Sequence, residues 1–137
     1  MDNRDVLIDT SIFIDFLRKK RKHRTILWRV MEQGMTSIIS TITVFELYAG
    51  ATTEQHIQDL KRLLRWFEVV PFSDNTAKYA ATIYRHLKAE NKMIDFRDIF
   101  IGATALVLDT PILTLNTRHF QRIQGIKFMS LDEFTDS

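Results

Sequence analysis

The chain has 137 residues, 45% of them hydrophobic and 26% charged, and a formal net charge of +2. Those values suit one globular domain over residues 1–137 and give only a weak whole-molecule pull toward polyanions. Cysteine is absent and no apolar run has membrane-spanning length, which excludes disulfides, thiol nucleophiles, cysteine-held zinc and a membrane helix.

The opening Met1-Asp2-Asn3-Arg4-Asp5 leads into an apolar segment too short for a signal-peptide core, so a cytoplasmic location is expected. Val6-Leu7-Ile8 reads as a first strand ending at Asp9-Thr10-Ser11, where capping residues start a helix carrying Ile12, Phe13, Phe16 and Leu17. The run Arg18-Lys19-Lys20-Arg21-Lys22-His23-Arg24 reads either as a solvated loop or as a phosphate-contacting patch. A second helix is expected from Arg24 to Gln33, stopped by Gly34, then a strand over Thr36–Ile39 and a helix through Val44–Gly50. Ile57, Leu60, Leu64 and Phe67 form the apolar stripe of an amphipathic helix between Thr53 and Phe67. Val69-Val70-Pro71 gives a third strand, and Ser73 or Asp74 caps a helix buried along Ala77, Ala80, Ala81, Tyr84 and Leu87. Another helix starts near Asp95 and runs through Ile99 and Leu106. Pro111–Thr114 and Ile126–Phe128 supply a fourth and a fifth strand, with a helical turn at Arg118-His119-Phe120 between them. Alternating strands and helices predict an α/β domain whose parallel sheet, about five short strands, is flanked by helices.

In such folds, ligand-binding groups collect at the C-terminal ends of the strands. Asp9 closes the first strand, either as a cap or as a ligand. Glu46 rises from an otherwise apolar helix, with the small residues Ala49 and Gly50 three and four positions on. Asp98 has the same setting, with Gly102 on its helical face and Asp95 as the natural N-cap. Clustered carboxylates repel, and a divalent cation relieves that cost. The histidines His23, His56, His86 and His119 form no HExxH-type pair, so oxygen ligation and therefore Mg2+ or Mn2+ is expected.

Four motifs in order carry a family resemblance: Leu7-Ile8-Asp9-Thr10-Ser11-Ile12, Ile42-Thr43-Val44-Phe45-Glu46-Leu47, Asp98 through Ala105, and Leu113 through Phe120. On these the chain resembles the PIN-domain nucleases, and within them the VapC-type toxins of bacterial toxin–antitoxin pairs. The resemblance implies a five-stranded parallel sheet, magnesium- or manganese-dependent cleavage of RNA, a cognate antitoxin and a homodimer. It casts Asp9, Glu46 and Asp98 as the characteristic acids and puts Asn116 where the family often has a fourth. Asn offers a neutral oxygen or a hydrogen bond to a metal-held water, or is only a turn residue.

The expected chemistry is a cation held by Asp9, Asp98 and Glu46, with water attacking phosphorus in line. Ser11 and Thr114 are candidates to support those ligands. Two other readings stand beside it: a catalytically weakened RNA- or protein-binding module, supported by Asn116, and a structure-selective DNA nuclease. Phe13, Phe16 and Phe100 are expected in the core, while Trp28 and Trp66 fit either the core or a dimer face.

Overall fold

Val6 and Ile8 pack toward one side of strand β1 (Asp5–Ile8) and Leu7 toward the other, and all three are fully buried. A strand covered on both faces belongs at the centre of a parallel sheet. The computed structural model describes residues 4–135 and places β1 there. Residues 1–3 and 136–137, part of the domain expected from sequence, lie outside the described residues. Strands β2 (Thr36–Ser40) and β4 (Ile112–Leu113) flank β1, and β3 (Glu68–Val70) lies outside β2. All pairs are parallel, with Leu7 opposite both Ile38 and Ile112.

The helices are α1 (Thr10–Arg18), α2 (Ile26–Glu32), α3 (Thr41–Ala49), α4 (Glu54–Leu64), α5 (Asp74–Ala89), α6 (Phe96–Leu108) and α7 (Thr117–Phe120). Asp9, Thr25, Ser40, Thr53, Ser73 and Asp95 each accept a backbone N–H in the first turn of the helix that follows. Local chemistry thus sets where six helices begin. One core, under α1, α2 and α4, gathers Ile8, Phe13, Leu27, Ile39 and Leu60. The other, under α5, α6 and α7, gathers Leu7, Ile38, Leu87, Ile101 and Phe120. The alternation of β1 and β2 is what divides them.

Three expectations change. The sheet has four strands among the described residues, because Ile126–Phe128 contributes only a bridge between Phe128 and Ile112. Ile112 donates to Lys127 O and accepts from Met129 N, each at 2.9 Å, and the chain then turns into a 3-10 helix over Leu131–Phe134. The second helix begins later than expected: Lys22–Arg24 is a 3-10 turn, and the Thr25 hydroxyl caps α2. On α5 the buried line is Thr76, Ala80, Ile83 and Leu87; Ala81 is exposed, since the helix turns Ile83 into the core it shares with α6. Phe13 is fully buried and Phe16 and Phe100 are half-buried, whereas Trp28 and Trp66 are exposed and take no core role. Among the described residues no helix is long and apolar enough to cross a membrane.

The strand order fixes where a site belongs. From β1 the chain builds outward through β2 and β3, then returns to place β4 on the opposite side of β1. The β1–β4 edge is therefore the switch point, and the crevice at its C-terminal end is where α/β sheets hold ligands. Asp9 and Thr114 are the residues that follow β1 and β4 there.

Candidate active site

Asp9 is 2% exposed at this crevice. Its Oδ2 accepts the Ser11 hydroxyl at 2.7 Å, the Thr114 hydroxyl at 2.7 Å and the Ser11 N–H at 3.4 Å. The donors are themselves held, since Ser11 Oγ accepts Leu115 N–H at 3.0 Å and Thr114 Oγ1 accepts Asn116 N–H at 2.9 Å. These bonds all fall on one oxygen and fix the orientation of the carboxylate.

Glu46 stands in the second turn of α3, half-buried. Its Oε1 accepts the Thr10 hydroxyl at 2.9 Å. Thr10 has one hydroxyl proton, so the 2.9 Å contact between Thr10 and fully buried Thr43 has Thr43 as donor. Glu46 Oε2 receives Arg97 Nη1 at 3.3 Å. Burial pushes the Glu46 carboxyl above its ordinary range, and the Thr10 hydrogen bond and the Arg97 charge oppose that.

Asp98 lies in the first turn of α6. Burial, reinforced by the charge of Asp9, pushes its carboxyl up to about 6. His119 Nδ1, on α7, approaches Asp98 Oδ2 at 3.4 Å. Asp9 acts electrostatically on both Glu46 and Asp98, and Glu46 on Asp98, so the three acids predicted from sequence form one charge cluster. Asp95 caps α6 and grips Arg97, whose hydrogen bonds hold its carboxyl below the usual carboxylate range.

Asn116 reaches the site through its backbone. It is exposed at the N-cap position of α7, where its side chain makes no capping bond. Its N–H holds the Thr114 hydroxyl that in turn holds Asp9.

The small residues near the acids have different uses. A Cβ on Gly50 would meet only the Glu46 and Leu47 carbonyl oxygens, each at 3.7 Å, so the space beside Glu46 is open. It leads into a groove of about 650 Å³ between α1, α3 and α4, bordered by Leu17, Arg18, Lys22, Glu46 and Leu60. Gly102, expected to leave room beside Asp98, instead admits Ile123: a Cβ there would stand 2.5 Å from Ile123 Cδ1. That glycine seats α7 rather than a ligand.

Sequence reasoning missed Thr10, Thr43, Arg97 and His119. Thr10 and Arg97 adjoin named acids in the chain, and a side chain flanking an acid at a helix start was an available signal. Thr43 and His119 join the site only by folding. The basic run is partly spent on structure. Lys22 Nζ donates to the Phe16 and Leu17 carbonyl oxygens, at 2.5 and 2.9 Å, and Lys19 pairs with Asp15 at 2.9 Å.

The donor chemistry suits a hard divalent cation: the cluster offers carboxylate and hydroxyl oxygens and no sulfur. Among the described residues no three acids or histidines are already wrapped around one point, because Glu46 is turned to Thr10 and Arg97 while Asp98 faces His119.

A parallel α/β sheet with acids at the β1–β4 crevice defines a class, and residues 6–126 match the PIN domain family model; the chain belongs to that family. It is 32% identical over 124 residues to Ribonuclease VapC1 of Methanocaldococcus jannaschii, spanning 89% of this chain and 85% of that relative. Its fold is shared with VapBC-1 from nontypeable Haemophilus influenzae, at a TM-score of 0.81 and 24% identity over 93% of this chain and 98% of that one. A toxin–antitoxin complex from Klebsiella pneumoniae is similar at a TM-score of 0.72 and 25% identity, covering 92% of this chain and 97% of that one.

Proposed function

We propose that the chain is a Mg2+- or Mn2+-dependent endoribonuclease, the cytoplasmic toxin of a toxin–antitoxin pair. The observation that carries this reading is the convergence of Asp9, Glu46 and Asp98 into one charge cluster at the sheet's switch point. The ribonuclease name of the 32%-identical relative supplies the substrate class.

Asp9 and Asp98 would hold the cation, with Glu46 as a third ligand or as the acceptor that orients the attacking water. When bound, the cation supplies positive charge for the phosphoryl oxygens and makes water a better nucleophile near neutral pH. The side chains do the positioning. Ser11 and Thr114 lock Asp9 by Oδ2, which leaves Oδ1 as the oxygen that would take the cation. Thr10 holds Glu46 by Oε1, leaving Oε2 as the oxygen that exchanges partners when substrate enters. Water would attack phosphorus in line as the bond to the departing oxygen breaks; Glu46 would take the proton the water loses, and the departing oxygen would take one from solvent. Asn116 supports the site through its N–H and brings no negative charge to it, which fits one firmly held cation and no tightly held second.

The groove beside Glu46 supports an antitoxin partner. It is mostly apolar, opens onto an acid and admits a segment that brings a basic side chain to the cluster. A homodimer belongs to the same reading, and the face proposed for it is the exposed Phe96 (57%) beside a hollow of about 300 Å³ lined by Phe72, Tyr84 and Phe100. Phe96→Glu is expected to sediment as a monomer.

The deciding experiment is cleavage of labelled structured RNA and of matched DNA by purified protein. RNA cleavage lost on chelation, restored by Mn2+ and absent in Asp9→Asn is the expected result. Cleavage that survives both chelator and Asp9→Asn would sink the metal mechanism. Metal-independent RNA binding without cleavage would favour a binding module.

A further inference from the structure

Arg97 stands among the acids, on the first turn of α6. Both oxygens of Asp95 grip it: Nε to Oδ1 and Nη2 to Oδ2, each at 3.0 Å. This planar fork-on-fork pairing fixes a guanidinium in orientation as well as in place. The contact with Glu46 Oε2 is single and longer, at 3.3 Å. A guanidinium carries five N–H groups, and these contacts engage one each on Nε, Nη1 and Nη2. One N–H on each terminal nitrogen stays uncommitted, on a side chain that is 55% exposed.

An RNA strand brings a negative charge with each nucleotide, while Asp9, Glu46, Asp95 and Asp98 all repel it. Neutralising Glu46 alone would need a simple ion pair and no fork. Capping α6 needs only the Asp95 Oδ1 that accepts the Arg97 N–H at 2.9 Å. The two further bonds from Asp95 serve orientation. Resting on the ribonuclease reading above, we propose that Arg97 is a substrate-phosphate ligand of this site and Asp95 its positioning residue. With the Glu46 bond released, the two terminal nitrogens present an end-on pair of N–H groups that matches two oxygens of a phosphodiester. The strand is thereby gripped beside the carboxylates, at the side of the crevice where α3 meets α6. Arg97 exchanges its single bond to Glu46 for phosphate and keeps its fork on Asp95.

The test is binding of a short fluorescein-labelled single-stranded RNA in chelator, by anisotropy across a salt series. Arg97→Gln should weaken binding about tenfold and lower the slope of log affinity against log salt by about 0.7, the value for one neutralised phosphate on a single strand. Arg97→Lys should keep the slope yet lose several-fold in affinity, because charge without the fork is a poorer grip. Asp95→Asn removes a negative charge, so general electrostatics predicts tighter binding; positioning predicts weaker binding. The decisive comparison is made in a Glu46→Gln background, where a role limited to neutralising Glu46 has nothing left to do. There Arg97→Gln should still cost affinity and slope, and no further loss overturns the proposal. Tighter binding by Asp95→Asn overturns the positioning role. Wild-type protein that does not bind RNA at all overturns the ribonuclease reading and the grip with it. Wild-type binding that is indifferent to Arg97 overturns the grip alone.

Discussion

The hydroxyl of Thr114 donates to Asp9 Oδ2 across 2.7 Å, tying together the C-terminal ends of the two strands that form the switch point. Thr114 is 1% exposed and Asp9 2%, so neither can take a solvent partner in exchange. Thr114→Val keeps the shape of the side chain and removes the donor. The expected result is a fall of about 10–100-fold in activity or metal affinity, the usual cost of losing a bond that orients a ligand. Stability should drop by about 1–3 kcal/mol as the buried carboxylate loses a partner. Thr114→Ser, which retains the hydroxyl, should recover most of the activity. Cleavage assays and thermal melts of the two variants check this.

Asp98 is costly to the metal-free fold. Its carboxyl is raised from 3.8 to about 6 by burial and by Asp9, so the native state holds a proton that the unfolded chain has released between those values. Stability contributed by this group therefore falls as pH rises from about 4 to about 6, opposite to an ordinary salt-bridged carboxylate. In chelator near pH 7, Asp98→Asn should be more stable than wild type, by up to about 3 kcal/mol. The advantage should vanish near pH 4. Activity should be lost in the same variant, as befits a strained functional group. Mn2+ should raise the melting temperature of wild type near pH 7 and leave Asp98→Asn unmoved. A wild-type protein more stable than Asp98→Asn in chelator near pH 7 would contradict this account.

Much of the fold was legible because its signals are local. Asp9, Ser73 and Asp95 announce helix starts by capping, and Val6-Leu7-Ile8 announces a buried strand by its unbroken apolar run, whereas the Thr25 cap of α2 was passed over in favour of Arg24. The fifth strand was not legible, because a bridge and a strand differ only in how many residues the neighbour offers, and β4 offers two. Periodicity likewise gave α5 its length but not its rotation, which Ile83 and the opposing helix decide. The three acids stood out as charges in apolar surroundings. Thr43 and His119 did not, since a threonine in an apolar helix and a histidine in a turn are ordinary until folding brings Thr10 and Asp98 against them.

Gly102 shows how packing supports the site indirectly. It lies one turn after Asp98 on α6, and Ile123 occupies the space its missing side chain leaves. Gly102→Ala gains about 1 kcal/mol in helix propensity, enough to offset a small displacement of the Ile123 terminal carbon. Stability is expected to stay within about 1 kcal/mol of wild type. Gly102→Leu has no such compensation and should cost about 1–3 kcal/mol, typical of overpacking. Because Phe120 and Ile123 anchor α7, the larger substitution should also withdraw His119 from Asp98 and lower activity. Circular dichroism melts and cleavage rates of both variants measure the two effects separately.

The basic segment after α1 divides into structural and surface charges. Lys22 is anchored on the last carbonyl oxygens of α1, where a cation also meets the negative end of the helix. Lys22→Ala should lower stability by about 1 kcal/mol. Lys20 and Arg21 are exposed, and Arg18 borders the groove that begins at Glu46. If RNA follows that groove, combined Lys20→Ala and Arg21→Ala should weaken binding and lower the salt slope by about 0.7 for each phosphate no longer neutralised. Their melting temperature should match wild type, because neither side chain carries a structural load comparable to that of Lys22. The converse pattern, stability lost with Lys20 and Arg21 and an unchanged salt slope, would remove this segment from the RNA path and leave it as a solvated loop.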